Sequence, residues 1–392
     1  MLSPSPRSTA VAGLIAMAAA MGVGRFIYTP ILPFMTEGLG LSKSQAGLIA
    51  GANFTGYLLG ALGAASTRFG GPPRAWLLGA LALSALSTGA MAAGHTLAIA
   101  MALRFIGGMA SAFVLVFAST LVLERLNAAG RGSLSAVHFA GVGVGMAVTA
   151  LLVWCLEATG HDWRTMWLGG GLISLAAVPL VAALLPGVAE VTPVRTSGRA
   201  QAAAAPQLRR LIVAYGLFGF GYVITATFLV AIVRGSAEAR PLETLIWLTA
   251  GLAAIPSVAL WSGLGHHIGV LRAFAVACLV EAVGVFASVI WVNVTGLFVA
   301  ALFLGGTLMG ITALGLVGAR GLALAGVRTV LAGMTAAFGF GQVIGPVAAG
   351  YLFDVTGSFF LPTTLAAAAL CVAALLVVGL KVPVATGNAL LR

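Results

Sequence analysis

Apolar residues run along this chain in stretches of about 20 or more, parted by short polar or glycine-rich breaks, and a helix of that length crosses a ~30 Å hydrocarbon layer. Twelve spans are predicted, at 9–36, 44–67, 75–93, 97–123, 133–157, 164–186, 210–233, 242–264, 272–292, 296–318, 329–353 and 359–381. The longest polar interruption, from Gly187 to Arg210, holds Thr192, Pro193, Arg195, Ser197, Gly198 and Arg199 before a tract of alanines closed by Pro206. It parts six spans from six. The expected organisation is therefore an N-terminal six-helix bundle over 1–186, a cytoplasmic linker over 187–209 and a C-terminal six-helix bundle over 210–392. The first apolar run far exceeds the core of a cleavable signal peptide, about 7–15 residues, and is expected to stay as a span.

Polar residues inside these runs are few, and the densest group lies between Gly22 and Pro33, where Arg25, Tyr28, Thr29, Pro30 and Pro33 interrupt the first span. A charged side chain at the centre of a span costs roughly 2.5–3.5 kcal/mol on insertion scales, so it is expected to face a protein interior or a wet cavity. The two prolines predict a bend at their own positions.

Composition agrees with a bilayer, since 60% of the 392 residues are hydrophobic, 7% are charged and the mean hydropathy is +1.10. The net charge of +11 in a soluble chain would raise nucleic-acid binding. Here the cations form rims instead of a patch, and nucleic acid is not an expected partner. Fourteen of the twenty Lys and Arg residues fall on one side if the N-terminus is inside, among them Arg7, Arg68, Arg74, Arg125, Arg131 and Arg320. The other side holds Lys43, Arg164, Arg234 and Arg240 with most of the acids. By the excess of positive charge on cytoplasmic loops, both termini are expected in the cytoplasm and the chain in the bacterial inner membrane. Cys155, Cys278 and Cys371 sit in separate spans without paired spacing, so neither a disulfide framework nor a zinc site is expected.

The two sets of six spans repeat one another. Gly22-Val23-Gly24-Arg25 matches Gly219-Phe220-Gly221-Tyr222 at an offset of 197, and Arg104-Phe105-Ile106-Gly107-Gly108 matches Leu302-Phe303-Leu304-Gly305-Gly306 at 198. Arg68-Phe69-Gly70 matches His267-Ile268-Gly269 at 199, and Gly141-xxx-Gly145 matches Gly341-xxx-Gly345 at 200. Four ordered matches at a nearly constant offset mark a duplication. Because each half has an even number of spans, the copies insert in one orientation, and the predicted fold is all-α integral membrane: twelve transmembrane helices in two six-helix bundles related by a pseudo-two-fold axis along the membrane normal. Glycines four apart, such as Gly47 with Gly51 and Gly56 with Gly60, are expected to let helix backbones approach closely.

These motifs resemble the major facilitator superfamily over the whole chain. Gly63 to Gly70 is similar to its inner loop between spans 2 and 3, with Ser262 to Gly269 as the counterpart; Arg104-xx-Gly107-Gly108 and Gly341 to Pro346 resemble its motifs of spans 4 and 11. Gly22–Pro33 with Tyr215–Leu229 resembles, more narrowly, the bacterial YbfB/YjiJ-like branch. The resemblance implies alternating access, with spans 1, 4, 7 and 10 lining a central cavity and spans 2, 5, 8 and 11 at the interface of the halves. The family's inner-loop acid is replaced by Thr67 and His266. Thr67, Arg68 and His266 are the gating candidates at these loops.

On helical spacing Arg25 shares a face with Met17, Met21, Tyr28 and Leu32, and Arg104 brings a second cation to the same cavity under the implied arrangement. Tyr222 and Thr225 offer hydroxyls from span 7, so the substrate-binding candidates are Arg25, Tyr28, Arg104, Tyr222 and Thr225. Such a surface suits an organic anion, because no acid lies in spans 1, 4, 7 or 10 to neutralise the arginines. A competing role for each arginine is to bind exposed backbone carbonyls. Glu281, the carboxylate well inside a span, and His138 near the inner face are coupling candidates; Gln342 and Asn53 read as interhelical hydrogen-bond partners.

The function these residues predict is secondary active transport of a small solute, an organic anion by preference, coupled to H+ or a counter-substrate, by a monomer in the lipid bilayer and without cofactors. The alternative within transport is a proton-driven exporter of drug-like compounds or metabolites. A membrane enzyme or receptor is more distant, since the chain lacks a His-Glu-xx-His helix, a Gly-x-Ser-x-Gly elbow and a phosphate-binding loop.

Overall fold

The structure is a computed structural model and describes residues 5–66, 70–185, 206–323 and 327–380. Thr67, Arg68 and most of the 187–209 linker lie outside these residues. Every regular element among the described residues is helical. The first half comprises span 1 (Pro6–Leu39), span 2 (Lys43–Ala64), span 3 (Pro73–Ala93), span 4 (Leu97–Ala128), span 5 (Gly132–Ala158) and span 6 (Trp163–Leu184). The second comprises span 7 (Pro206–Arg234), a broken span 8 (Arg240–Ala254 and Ser257–Ile268), span 9 (Val270–Ile290), span 10 (Val294–Leu322), span 11 (Val327–Thr356) and span 12 (Phe360–Val377). Span 7 starts before Arg210, where the apolar run begins, because Pro206 suits a first helical turn.

Short polar breaks work as helix caps. Ser42 accepts from the Gln45 backbone N–H at 3.2 Å while the Gln45 side chain accepts from the Ser42 N–H, a reciprocal pair that opens span 2. Asp162 opens span 6 by accepting from the Thr165 N–H, and that bond, with help from Arg164, holds its carboxyl below the usual carboxylate range.

Two spans depart from simple helices. Span 8 bends by 46° at Ile255-Pro256, where Pro256 has no N–H to continue the ladder, although the sequence pattern predicts one run over 242–264. Span 1 is helical to Met17, widens into a π-helix over Ala18–Val23, turns through Gly24 to Ile27 and resumes as a helix over Tyr28–Leu39. The irregularity precedes the prolines instead of centring on them. Its bonds reach five residues back, Gly24 N–H to Ala19 O at 2.8 Å and Phe26 N–H to Met21 O at 3.2 Å. One extra residue in a turn rotates all that follows, so the simple face of Met17, Met21, Arg25 and Tyr28 does not survive.

Spans 2 and 11, and spans 5 and 8, pack across the two halves, as the superfamily arrangement implies. Span 2 shows why glycine is needed there: a Cβ at Gly51 would stand 2.8 Å from Val347 Cγ2 of span 11. Spans 1 and 7 meet along the pseudo-two-fold axis. Arg25 Nη2 donates to Tyr222 Oη at 3.2 Å, Thr29 Oγ1 donates to Ala226 O at 2.6 Å, and Arg234 Nη1 pairs with Glu37 Oε1 at 3.2 Å. Each of these pairs is 197 residues apart, so equivalent positions face one another across the axis.

The same offset governs spans 4 and 10. A Cβ at Gly108 would strike the carbonyl of Asn53 in span 2, and one at Gly305 would strike that of Ala250 in span 8, equivalents again by 197. This moves the span 4 match by one residue from the 198 read in the sequence. The counterpart of Arg104 is Ala301, fully buried, and not Leu302, which is 48% exposed.

Candidate functional site

A carbonyl left by a broken helix needs a donor, and the break in span 1 leaves those of Gly24 and Arg25 at the level of span 4. Arg104 supplies both: Nη1 donates to Gly24 O at 2.8 Å and Nη2 to Arg25 O at 3.0 Å. Asn53 of span 2 in turn donates to Arg104 O at 2.8 Å, joining spans 1, 2 and 4 in one buried polar knot. Tyr28 donates to Ala46 O at 2.8 Å, and its ring lies 6.4 Å from that of Trp167 of span 6, centroid to centroid. The Arg104 guanidinium lies 5.3 Å and 5.5 Å from these two ring centres.

Arg25 is held differently. It is 5% exposed, and its guanidinium carbon sits 4.4 Å from the Tyr57 ring centre and 4.7 Å from that of Phe54, so aromatic faces replace water around the charge. Its hydrogen bond to Tyr222 is to a neutral oxygen, and Nε has no partner among the described residues. Tyr222 also accepts from Gln342 Nε2 of span 11, and its ring stacks on Phe338 at 5.7 Å with planes 8° apart. Phe218 lies 5.1 Å from the Tyr222 ring and 5.4 Å from that of Phe338, so the three rings form one cluster. The phenol is thereby fixed where the halves meet.

A small cavity of about 10 Å³, room for roughly one water molecule, lies beside Arg25, lined by Phe26, Tyr28 and Thr29 of span 1, Ala50, Asn53 and Phe54 of span 2, Arg104, and Ala226 and Thr227 of span 7. Span 2 lines it where the superfamily pattern puts span 10. Its carboxylate count is zero, so the charge on its walls is cationic.

The structure brings Arg25, Tyr28 and Arg104 to this cavity and Tyr222 against Arg25. Thr225 is buried nearby in sequence but span 7 lines the cavity through Ala226 and Thr227, and the Thr225 hydroxyl has no partner among the described residues. Glu281 is fully buried in span 9. His138 is buried within the first half, its Nε2 3.1 Å from Ser119 Oγ of span 4, away from the interface of the halves. His266 ends span 8, exposed. Phe54 and Tyr57 were not singled out by the sequence, because aromatic residues in an apolar run look like packing. Asn53 and Gln342 are interhelical hydrogen-bond partners, as expected.

The sequence matches the family described as "Uncharacterised MFS-type transporter YbfB" over residues 17–378. The chain belongs to this family of the major facilitator superfamily. It is a multi-pass membrane protein of a transporter family, not of an enzyme family. Among curated proteins it is similar to a gallate transporter of Pseudomonas putida, 30% identical over 178 residues, a match that spans 45% of this chain and 39% of that protein. Among solved structures it is similar to the nucleoside transporter NupG, with a TM-score of 0.71 at 13% identity for a mutant form, covering 94% of this chain and 98% of that one. A second NupG structure gives 0.67 at 14% identity, with 94% and 97% covered. At such identities the likeness concerns the fold.

Proposed function

We propose that this protein is a secondary transporter of small organic anions, working by alternating access in the bacterial cytoplasmic membrane with both termini inside. The observation that carries this reading is Arg25: a buried cation on the axis between the halves, edged by aromatic rings and bonded to a neutral phenol. A carboxylate could take the free edge of that guanidinium in a charge-assisted bond, while its apolar body rests on Phe54 and the rim of Tyr28. The similarity to a gallate transporter supports an aromatic carboxylate as the first class to try.

The cavity of about 10 Å³ is far below the ~300–1,000 Å³ usual for ligand sites, so the site is closed in this form and has to widen to admit a substrate. Two contacts hold the halves together at the end where span 1 finishes: Arg234 with Glu37, and Asp354 with the Lys43 and Ser44 backbone N–H groups at 3.1 and 2.9 Å. In the proposed orientation this end is periplasmic.

The test is uptake by purified protein in proteoliposomes, with radiolabelled gallate and simpler aromatic carboxylates. Saturable uptake is expected, and Arg25→Gln should lower kcat/KM at least about tenfold, the loss of one charge-assisted hydrogen bond. Uptake of gallate unaltered in Arg25→Gln, or transport confined to cations, would overturn the reading.

A further inference from the structure

Three buried polar atoms on side chains that line the cavity beside Arg25 have no hydrogen-bond partner among the described residues: Oδ1 of Asn53, and Nε of Arg25 and of Arg104. The amide of Asn53 has one orientation, since only its nitrogen can donate to Arg104 O, at 2.8 Å. Its oxygen is therefore a bare acceptor on a residue 1% exposed. Leaving such a group unmatched is unfavourable, and helix packing does not demand it. In the second half, Ala250 of span 8 presents its carbonyl to Gly305 as Asn53 presents its own to Gly108, with no amide attached.

A cavity whose walls carry one acceptor and two donors sorts ligand groups by what they offer. A carboxylate oxygen only accepts, so it answers the guanidinium N–H groups and opposes the lone pairs of Oδ1. An ammonium only donates, and it would stand beside two guanidinium charges. A hydroxyl does both: its O–H donates to Oδ1 while its lone pairs accept from Nε of Arg25 or Arg104. The volume of about 10 Å³ also matches one group of that size.

We propose that Asn53 determines specificity, and that the site takes organic anions that carry a hydroxyl donor, with the carboxylate on Arg25 and the hydroxyl on Asn53 Oδ1. This rests on the reading of the substrate as an organic anion. The site widens to admit the body of the ligand, and the hydroxyl stands between Asn53 and the two Nε atoms. An analogue that lacks the O–H leaves Oδ1 unmatched in a dry site. Discrimination arises there, because a site built to bond a hydroxyl rejects ligands without one far more strongly than shape alone does.

The test is titration calorimetry of the purified protein with benzoate, 3- and 4-hydroxybenzoate, and 3- and 4-fluorobenzoate. Fluorine is close in size to a hydroxyl and has no proton to donate. At least one hydroxybenzoate should bind about tenfold or more tightly than benzoate and than its fluoro counterpart. In Asn53→Ala that preference should shrink to about twofold or less. A merely structural role for the amide would instead weaken all the ligands alike and keep their ratios. Hydroxy and fluoro forms bound equally by the wild type, or a preference kept in Asn53→Ala, would overturn the proposal. The comparison of hydroxy with fluoro forms needs the wild type alone, so it stands even where the variant fails to fold. Benzoate binding with no gain from a hydroxyl sinks the role of Asn53 and leaves the anion reading intact. Binding of none of these ligands overturns the anion reading, and the proposal with it.

Discussion

Two arginines of the same half, both almost fully buried, do different work. Arg104 spends two donors on the carbonyls that the break in span 1 exposes, whereas Arg25 has rings around it and phenol oxygens, not carbonyls, to bond. A buried carbonyl left unsatisfied costs about 1–3 kcal/mol. Arg104→Gln is therefore expected to lower the thermal midpoint in detergent by several degrees, with Arg25→Gln close to wild type. A fluorescence melt of the two variants reads the difference; equal midpoints would remove the distinction. The competing role for each arginine, binding exposed carbonyls, applies to Arg104, at Gly24 and Arg25. No sequence pattern announces a π-turn, so the carbonyls that need Arg104 were not legible.

At the scale of elements, the duplication is read in glycines. Gly305 approaches the Ala250 carbonyl of span 8, while its neighbour Gly306 has nothing within 4 Å of an added Cβ. Gly305→Ala should cost about 1–3 kcal/mol of stability through overpacking, and Gly306→Ala should change little. Expression and melting of the pair check this, and a greater loss in Gly306→Ala would contradict the contact. The sequence alone aligns both glycines with the Gly107-Gly108 pair and cannot say which touches a neighbour. That choice depends on which side of the helix the adjoining span approaches. Pro256 shows the same limit, since an isolated proline in an apolar run permits either a continuous span or the 46° break that is found.

For the molecule as a whole, the two bundles are held at one end by the Arg234–Glu37 pair, reinforced by Arg234 over the Phe34 ring at 4.0 Å, and by Asp354 at the start of span 2. Loosening this end should favour opening towards it. In a background without the native cysteines, Ala50→Cys in the cavity wall should react roughly two- to fivefold faster with a membrane-impermeant maleimide when Asp354→Asn or Glu37→Gln is added, the range set by exposed ion pairs. An unchanged rate would mean that these contacts do not set the equilibrium between the halves. Neither pair is foreseeable from the sequence, where Glu37, Arg234 and Asp354 are simply loop-end charges.

The sequence by itself determined the twelve spans, their division into two similar halves and the identity of the one cation, Arg25, that stands where the second half has a phenol. Hydropathy and local repetition suffice for these, because a bilayer demands long apolar helices and a duplication preserves spacing. Tertiary structure decided that Tyr222 bonds Arg25 across the axis, that Arg104 serves the broken helix, that span 7 lines the cavity through Ala226 and Thr227, and that Glu281 has no hydrogen-bond partner among the described residues. A helical period fixes angles within one span only. The register between spans is set by close backbone contacts and by one extra residue in a π-turn, and those depend on residues far apart in the chain.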